Sequence, residues 1–168
     1  MSADLKLLQP VKIGSIDLAN RMVMAPMTRS RASADGVPDK LVAEYYWQRA
    51  GAGLIISEGT FPSAMGKGYV RTPGIHTEEQ TAAWSKVTDA VQGAGGRMFC
   101  QIMHAGRISH PSLLPGGATP VAPSAVTPQG QVYTDNGMLD YETPRALESE
   151  EIASIVAEYA HATSCLLY

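Results

Sequence analysis

Several features common in secreted, membrane and nucleic-acid-binding proteins are scarce in this sequence. Its only two cysteines, Cys100 and Cys165, lie in apolar segments without a partner at metal or redox spacing, so small buried side chains are the simpler interpretation. The net charge of −3 and the pI of about 5.8 provide no basic surface for nucleic acid or an anionic membrane. No apolar run is long enough to cross a bilayer, and no basic region followed by an apolar core begins the chain. We therefore expect a cytoplasmic protein that binds neither nucleic acid nor membrane.

The composition that remains is that of an ordinary globular protein, with 45% hydrophobic residues among 168, and it predicts one domain over residues 1–168. Three short apolar runs predict buried strands that end in polar or small residues. They are Met22–Met24 ahead of Pro26, Leu54–Ser57 ahead of Glu58, and Met98–Met103. Such runs are typical of parallel strands covered on both faces, and pairing must fail at Pro26 because proline lacks an N–H.

Helical patterns separate and follow these strands. The first begins near Pro38 and ends at Gly51. Thr77 and Gln80 stand at the spacing of a capping box, which predicts the start of a second helix. Ser149 is the expected N-cap of a third helix, whose apolar spacing continues to the last residue, so that 148–168 forms a truncated helix.

Two hairpins are predicted outside this alternation. Val11–Ile13 and Ile16–Leu18 flank Gly14-Ser15, so residues 1–19 are expected to form a hairpin cap. Residues 111–147 are rich in proline and predict a long surface excursion after the third strand. Within it, Asn136-Gly137 is a strong signal for a two-residue hairpin turn.

The alternation of strand and helix predicts an α/β fold with parallel strands, and the polar residues that end each strand favour a (β/α) barrel. A complete barrel needs about 250 residues, so residues 20–110 supply only three strands and two helices. A doubly wound sheet is the alternative, but it would require a glycine-rich turn directly after the first strand, where Pro26-Met27-Thr28 stands instead.

Six motifs at consistent spacing then suggest a family. They are Asn20–Arg29 (NRMVMAPMTR), Tyr45–Ala50 (YYWQRA), Gly53–Thr60 (GLIISEGT), Gly68-Tyr69, Thr72–Ile75 (TPGI) and Gln101–His110 (QIMHAGRISH). Together they resemble the N-terminal half of the old yellow enzyme family, in order from about Leu7 to about Ala162. The resemblance implies a (β/α)8 TIM barrel of the FMN-linked oxidoreductase type, present here as a partial barrel. It also implies hydride transfer from NAD(P)H through FMN to the C=C bond of an activated small-molecule alkene, such as an enone, a maleimide or a nitro compound.

The resemblance assigns the flavin-facing positions to the ends of the three strands. Thr28 would donate a hydrogen bond to flavin O4, which stabilises the electron density gained on reduction; otherwise Thr28 merely begins a loop. Gln101 would bind the pyrimidine edge, because an amide offers both a donor and an acceptor. Gly59 would allow the backbone to approach the ring, or is a simple turn glycine. The implied cofactor-binding set is Ala25, Pro26, Met27, Thr28, Gly59 and Gln101.

Tyr69 and Met103 match family positions that face the substrate, and Met103 departs from the tryptophan common there. A methionine should leave more room above the flavin. His104, Arg107 and His110 lack the convergent ligands of a metal site, so we interpret them as loop-ordering residues and expect no metal. Glu58 is expected to be paired inside the barrel mouth rather than to act as a general base.

The family's substrate-holding His and His or Asn, its proton-donating Tyr and its phosphate-binding loops would follow the fourth strand, beyond Tyr168. The alternative function is therefore a non-catalytic truncated fragment or half-barrel, inactive unless complemented. Exposed strand edges would favour self-association or a complementing half-barrel.

Overall fold

The computed structural model describes residues 5–166. In chain order the elements are β1 (Val11–Ile13), β2 (Ile16–Leu18), β3 (Val23–Met24), α1 (Lys40–Trp47), β4 (Leu54–Thr60), α2 (Glu78–Gly93), β5 (Met98–Ile102), β6 (Val121–Ala122), β7 (Gln131–Thr134), β8 (Gly137–Asp140), β9 (Arg145–Ala146) and α3 (Ser149–Ser164). Short 3-10 turns occur at Lys6–Leu8, Ala64–Gly66, Pro111–Leu113 and Pro115–Gly117.

The centre of the fold is a parallel sheet in the order β3-β4-β5, with α1 and α2 as the connections between its strands. This arrangement confirms the predicted α/β class. The buried core lies between the sheet and the helices. Its members come from α1, β4, α2 and α3 together with Ala50 and Ile75, and they are Val42, Tyr46, Ala50, Ile55, Ile75, Trp84, Val87, Val91 and Ala162.

Local hydrogen bonds explain where the first two helices begin. The Asp39 carboxylate accepts the backbone N–H groups of Leu41 and Val42, which are among those that the first turn of α1 leaves without a helical partner. At α2, the Thr77 hydroxyl accepts the Gln80 N–H, and the Gln80 side chain accepts the Thr77 N–H. The predicted capping box is therefore confirmed.

The prediction that the first strand is buried on both faces is wrong. β3 contains only Val23 and Met24; Val23 is 50% exposed, and Met22 just before it is 37% exposed. Among the described residues, β4 is the only strand that pairs with β3. One edge and one face of β3 are therefore left uncovered, although its sequence is as apolar as that of a covered strand.

The excursion contains the predicted antiparallel hairpin of β7 and β8, but its turn lies one residue earlier than expected. Thr134 pairs with Gly137, so Asp135 and Asn136 form the turn. The Thr134 hydroxyl accepts the Asn136 N–H and donates to the Gly137 carbonyl, while Gly137 has a positive φ of 95°. A parallel pair of β6 with β9, which sequence patterns did not predict, brings the two ends of the excursion together.

Two further predictions need correction. Glu148, not Ser149, is the N-cap of α3, because its backbone is extended and its N–H donates to the carboxylate of Glu151. The helix ends at Ser164, and the predicted continuation over residues 167 and 168 lies outside the described residues, as do residues 1–4 of the predicted hairpin cap. Cys100 and Cys165 are half-buried rather than buried, and both are free thiols.

Candidate functional site

The carboxyl end of the parallel sheet brings together the three positions predicted to face a flavin. Gly59 on β4 is the register partner of Gln101 on β5, so the two lie side by side at this end. Thr28 follows β3, the other neighbour of β4, after an extended segment. In parallel α/β folds, ligands bind outside the carboxyl ends of the strands. The predicted flavin-facing positions on β4 and β5 therefore lie at the end of the sheet where such ligands bind.

The residues of the predicted wall after β3 have no regular secondary structure and are accessible. Met27 is 44% exposed, Ala25 and Thr28 are exposed, and Pro26 is half-buried. Gln101 is half-buried, and its backbone N–H donates to the Ser57 hydroxyl at 3.0 Å. Within residues 5–166, neither the Thr28 hydroxyl nor the Gln101 side-chain amide takes part in a hydrogen bond. Both polar groups are thus available to a ligand.

The side chain of Met103 packs against Gly59. A Cβ built on Gly59 would lie 2.6 Å from Met103 Cε and 2.9 Å from Met103 Sδ. Any larger residue would displace that methionine. Met103 is itself held at the end of β5 by a backbone hydrogen bond from its N–H to the Thr60 carbonyl, at 2.9 Å. The structure therefore couples the predicted cofactor residue Gly59 to the predicted substrate residue Met103.

Tyr69 lies in the long segment between β4 and α2 and is half-buried. Its carbonyl accepts the hydroxyl of Thr72. Burial raises the pKa of Tyr141, in the excursion, and the nearby Tyr69 adds to the increase. Arg71 also bonds Asp135 of the excursion hairpin, at 2.7 Å. The excursion thus lies beside the segment that carries Tyr69.

β4 contains a β-bulge just before Gly59, which sequence patterns did not reveal. Ile56 pairs with Phe99 and Gly59 pairs with Gln101, so Ser57 and Glu58 together oppose a single residue of β5. Both bulge residues are buried, at 0% and 1% exposure. The polar run Ser57-Glu58 in an otherwise apolar strand was the available signal.

Glu58 makes bonds on both sides of the bulge. Its N–H donates to the Tyr46 hydroxyl at 2.8 Å, and its Oε2 accepts the backbone N–H of Arg29, the residue after Thr28, at 2.9 Å. Burial raises the pKa of the Glu58 carboxyl, and hydrogen bonds from the backbone of Arg29 and Ser30 oppose that increase. One oxygen of the carboxyl is thus paired, with a backbone N–H, and the choice between a paired carboxyl and a general base stays a prediction.

The second carboxyl oxygen of Glu58, Oε1, is buried and has no hydrogen-bond partner among the described residues. Glu58 lines a cavity of about 210 Å³ between α1 and the segment after β3, together with Arg29, Arg31 and Tyr45. The Tyr45 ring lies between two guanidinium groups, 5.0 Å from that of Arg29 and 3.8 Å from that of Arg49.

The histidines after β5 order the backbone, as interpreted from the sequence. His104 Nδ1 accepts the Gly106 N–H, and His110 Nδ1 accepts the Ser112 N–H. The hydroxyl of Tyr159, from α3, accepts the backbone N–H of His104 at 2.9 Å. Arg107 reaches the Val126 carbonyl in the excursion. Across residues 5–166, no three His, Cys, Asp or Glu side chains are grouped as a metal ion would require.

Comparison with known proteins identifies the family. Residues 6–165 match the NADH:flavin oxidoreductase / NADH oxidase family. The chain belongs to this family. It is 43% identical over 160 residues to 12-oxophytodienoate reductase 7 of Oryza sativa subsp. japonica, covering 93% of this chain and 40% of that protein. It is also 43% identical to flavin oxidoreductase hxnT of Emericella nidulans, covering 94% of this chain and 41% of that protein.

Solved structures of this family have the same fold. Morphinone reductase in complex with tetrahydroNAD superposes with a TM-score of 0.89 at 47% identity, covering 95% of this chain and 46% of that one. The old yellow enzyme homologue of Zymomonas mobilis gives a TM-score of 0.93 at 42% identity, covering 96% and 45%. The chain therefore spans less than half the length of these relatives, and its three parallel strands are part of a TIM barrel of the old yellow enzyme type. Among the described residues, no helix has both the length and the apolarity needed to span a membrane.

Proposed function

We propose that this chain contributes one wall of an FMN site in an NAD(P)H-dependent oxidoreductase that reduces the C=C bond of activated alkenes. The observation that carries the proposal is the juxtaposition at the carboxyl end of the sheet. There Gln101, whose side-chain amide has no partner among the described residues, is the register partner of Gly59, and the backbone just after Thr28 bonds Glu58, the residue before Gly59. Membership of the flavin oxidoreductase family supports the same cofactor.

The residues present fit the polar edge of a flavin. The Thr28 hydroxyl would donate to O4, and the Gln101 amide would provide both a donor and an acceptor for the pyrimidine edge. The segment from Ala25 to Met27, exposed except for half-buried Pro26, would lie against the ring, and Gly59 itself adds no side chain at that end of β4. When bound, FMN supplies the hydride relay between the nicotinamide and the alkene. A donor held at O4 favours the reduced state because reduction places electron density there.

Met103 and Tyr69 are proposed to face the substrate. Met103 packs on Gly59, so a substrate above the flavin would meet a flexible thioether there. Tyr69 lies next to the excursion, which would limit the pocket on that side. We propose activated alkenes of the enone, maleimide or nitro class as substrates.

A complete FMN site also requires the three-stranded sheet to be part of a closed barrel. β3 and β5 each pair with one strand among the described residues, and Val23 and Phe99 on them are about half exposed. Unpaired edges of this kind bind further strands. We propose that the edges are paired by more of the same barrel, supplied by a longer polypeptide, a complementing half-barrel or a second copy. The free thiols of Cys100 and Cys165 support a reducing, cytoplasmic location.

Titration of the purified chain with FMN, followed by flavin fluorescence, tests the proposal. We expect quenching on binding, and NADPH oxidation that depends on cyclohexenone or N-ethylmaleimide once the barrel is complete. Thr28→Ala and Gln101→Ala should each weaken FMN binding, whereas Thr119→Ala, an exposed threonine of the excursion, should not.

Failure to bind FMN, both alone and with a polypeptide that supplies the remaining strands, would contradict the proposal. That result would favour the second candidate, a non-catalytic half-barrel. The observation in favour of this candidate is that the chain spans only 40 to 46% of the relatives described above.

A further inference from the structure

The bulge in β4 leaves a gap in the backbone ladder at the point where the predicted flavin wall is built. Ser57 and Glu58 both lie opposite Cys100, so the regular exchange of backbone hydrogen bonds with β5 is interrupted there. Bulges are frequent beside functional sites, where they redirect side chains. The Ser57 side chain bonds β5 at this gap, and the Glu58 side chain bonds the segment after β3.

The Ser57 side chain holds β5. Its hydroxyl accepts the backbone N–H of Gln101 at 3.0 Å and donates to the Glu58 carbonyl at 2.9 Å. Ser57 is 0% exposed, so water cannot replace either bond. The backbone N–H of Gln101 therefore has this hydroxyl as its partner, next to the point where Gly59 and Gln101 resume the ladder.

The Glu58 side chain holds the segment after β3. Oε2 accepts the Arg29 N–H at 2.9 Å, which fixes the peptide group that directly follows Thr28. The Glu58 backbone is fixed in turn, because its N–H donates to Tyr46 and its carbonyl accepts the Thr60 hydroxyl at 3.0 Å. No regular strand pairing holds Thr28 itself, so this carboxyl is its nearest buried anchor.

We propose that Ser57 and Glu58 are positioning residues that hold Gln101 and Thr28 at matched heights on either side of Gly59. Both residues are buried, and their side chains bond the backbone at Gln101 and Arg29, so they would act on the proposed flavin residues through the backbone. Ser57 thus bonds β5 on one side of the site, and the adjacent residue Glu58 bonds the segment after β3 on the other side. This inference rests on the proposed function for its consequence, but the coupling is a property of this chain alone.

Amide hydrogen exchange, measured by NMR without FMN, tests the coupling directly. Ser57→Ala should accelerate exchange of the Gln101 amide and leave Arg29 unchanged. Glu58→Ala should accelerate exchange of the Arg29 amide and leave Gln101 unchanged. Ser57→Thr and Glu58→Gln retain an acceptor and should restore slow exchange. Ser63→Ala is the matched control, because the Ser63 hydroxyl is also buried but has no hydrogen-bond partner among the described residues.

The effect on the site is read from FMN affinity and from the position of the visible flavin band. Loss of either bond should weaken FMN binding about fivefold to tenfold, in line with one buried hydrogen bond. The band should move with Ser57→Ala and Glu58→Ala and return with Ser57→Thr and Glu58→Gln. A general loss of packing would instead affect affinity without this recovery.

Two results would overturn the inference. One is equal acceleration of both amides by Ser57→Ala, and the other is an effect of Ser63→Ala as large as that of Ser57→Ala. If the wild-type chain binds no FMN in its completed barrel, the proposed function fails. Selective exchange in that case would still support the positioning of the two segments. Since Glu58→Ala removes a buried side chain and can unfold the protein, Glu58→Asp serves as the second variant, because it keeps the charge but shortens the reach to the Arg29 N–H. Slow exchange of the Arg29 amide in a folded Glu58→Asp variant would overturn the Glu58 half of the inference, and Ser57→Ala with Ser57→Thr tests the Ser57 half.

Discussion

The middle strand and the outer strands of the parallel sheet differ in how much of their apolar surface is covered. Ile55 of β4 is 0% exposed against α1 and α2, whereas Val23 of β3 and Phe99 of β5 are 50% and 47% exposed. All three are large apolar residues of one sheet, so composition does not distinguish them. The faces of the sheet do, because Val23 and Phe99 are register partners of Leu54 and Ile56 and therefore lie on the face opposite Ile55. Met24 and Met98, the register partners of Ile55, pack against the helix-covered core. On the opposite face the middle strand is still the better covered one, since Leu54 is 8% exposed and its partner Val23 on the outer strand is 50% exposed.

This difference shows which part of the fold is complete in itself. The layer between β4 and the helices has its full set of contacts, and Tyr46, Val87 and Val91 in it are 0% exposed. The outer strands have sequences suited to burial on both faces, an environment that a closed barrel provides. Stability should therefore depend on the covered layer, and barrel completion on the outer strands.

The largest expected effect is that of truncating a side chain in the covered layer. Ile55→Ala should lower the free energy of unfolding by about 2–5 kcal/mol, because it leaves a cavity in a region that is packed from both sides. Val23→Ala, on the exposed outer strand, should change it by about 0.5 kcal/mol or less. Urea denaturation of both variants measures the difference. Comparable losses would mean that β3 is covered in solution, by a second copy or another polypeptide.

A smaller effect is expected from the hydrogen bond between α1 and the bulge. Tyr46→Phe removes the hydroxyl that accepts the Glu58 N–H and leaves that buried N–H without a partner, which should cost about 1–3 kcal/mol. Tyr45→Phe is the control. Its ring keeps the contact with the Arg49 guanidinium at 3.8 Å, and its hydroxyl is not part of a hydrogen bond among residues 5–166.

Denaturation of the two tyrosine variants under identical conditions makes the comparison. Tyr45→Phe should stay close to wild type. A cost for Tyr45→Phe equal to that for Tyr46→Phe would show that loss of any hydroxyl on α1, rather than of the bond to the bulge, destabilises the chain.

Local sequence signals predicted those parts of the fold that depend on neighbouring residues. The capping box of Thr77 and Gln80 and the hairpin of β1 and β2 each involve residues within a few positions of one another, and both are present. The cap of α3 was misplaced because Glu148 depends on Glu151, whose carboxylate Arg145 holds from outside the helix. The Glu148–Glu151 pair has the same spacing as the box of Thr77 and Gln80, but Ser149 is the more usual N-cap residue and the sequence therefore favoured it.

The candidate site depends on longer separations. Family resemblance predicted Thr28, Gly59 and Gln101, and the register of β4 with β5 brings two of them side by side. The bond between Ser57 and Gln101 joins residues 44 positions apart. It exists because one strand has an extra residue, and no periodicity in either strand predicts where a bulge falls. The contact of Met103 with Gly59 depends on the same register and was likewise missed.

The smallest expected effects concern two carboxyls with opposite pKa shifts. The pKa of Glu58 is raised because burial disfavours its charged form. Its folded state therefore binds the proton more tightly than the unfolded chain, and the resulting stability is present below about pH 4.5 and is lost as pH rises through the folded pKa. Because glutamine does not titrate, the Glu58→Gln variant should not lose stability in this way as the pH rises. Denaturation midpoints measured from pH 4 to pH 8 should fall with pH in wild type relative to Glu58→Gln.

Glu151 provides the matched control on the exposed surface. Its pKa is lowered to about 2, first by the hydrogen bonds from Arg145 at 2.7 Å and then by the Glu148 N–H. Its stabilisation is present above about pH 4.5 and is lost as pH falls towards 2. Added salt should reduce the stabilisation from Glu151, because its ion pair with Arg145 is exposed to water. It should leave the pH-dependent contribution of buried Glu58 nearly unchanged. If salt changed the pH dependence of stability equally for Glu58 and Glu151, the bulge would have to open to solvent. Glu58 would then behave as a surface residue, and the contrast between the covered layer and the surface would not hold for it.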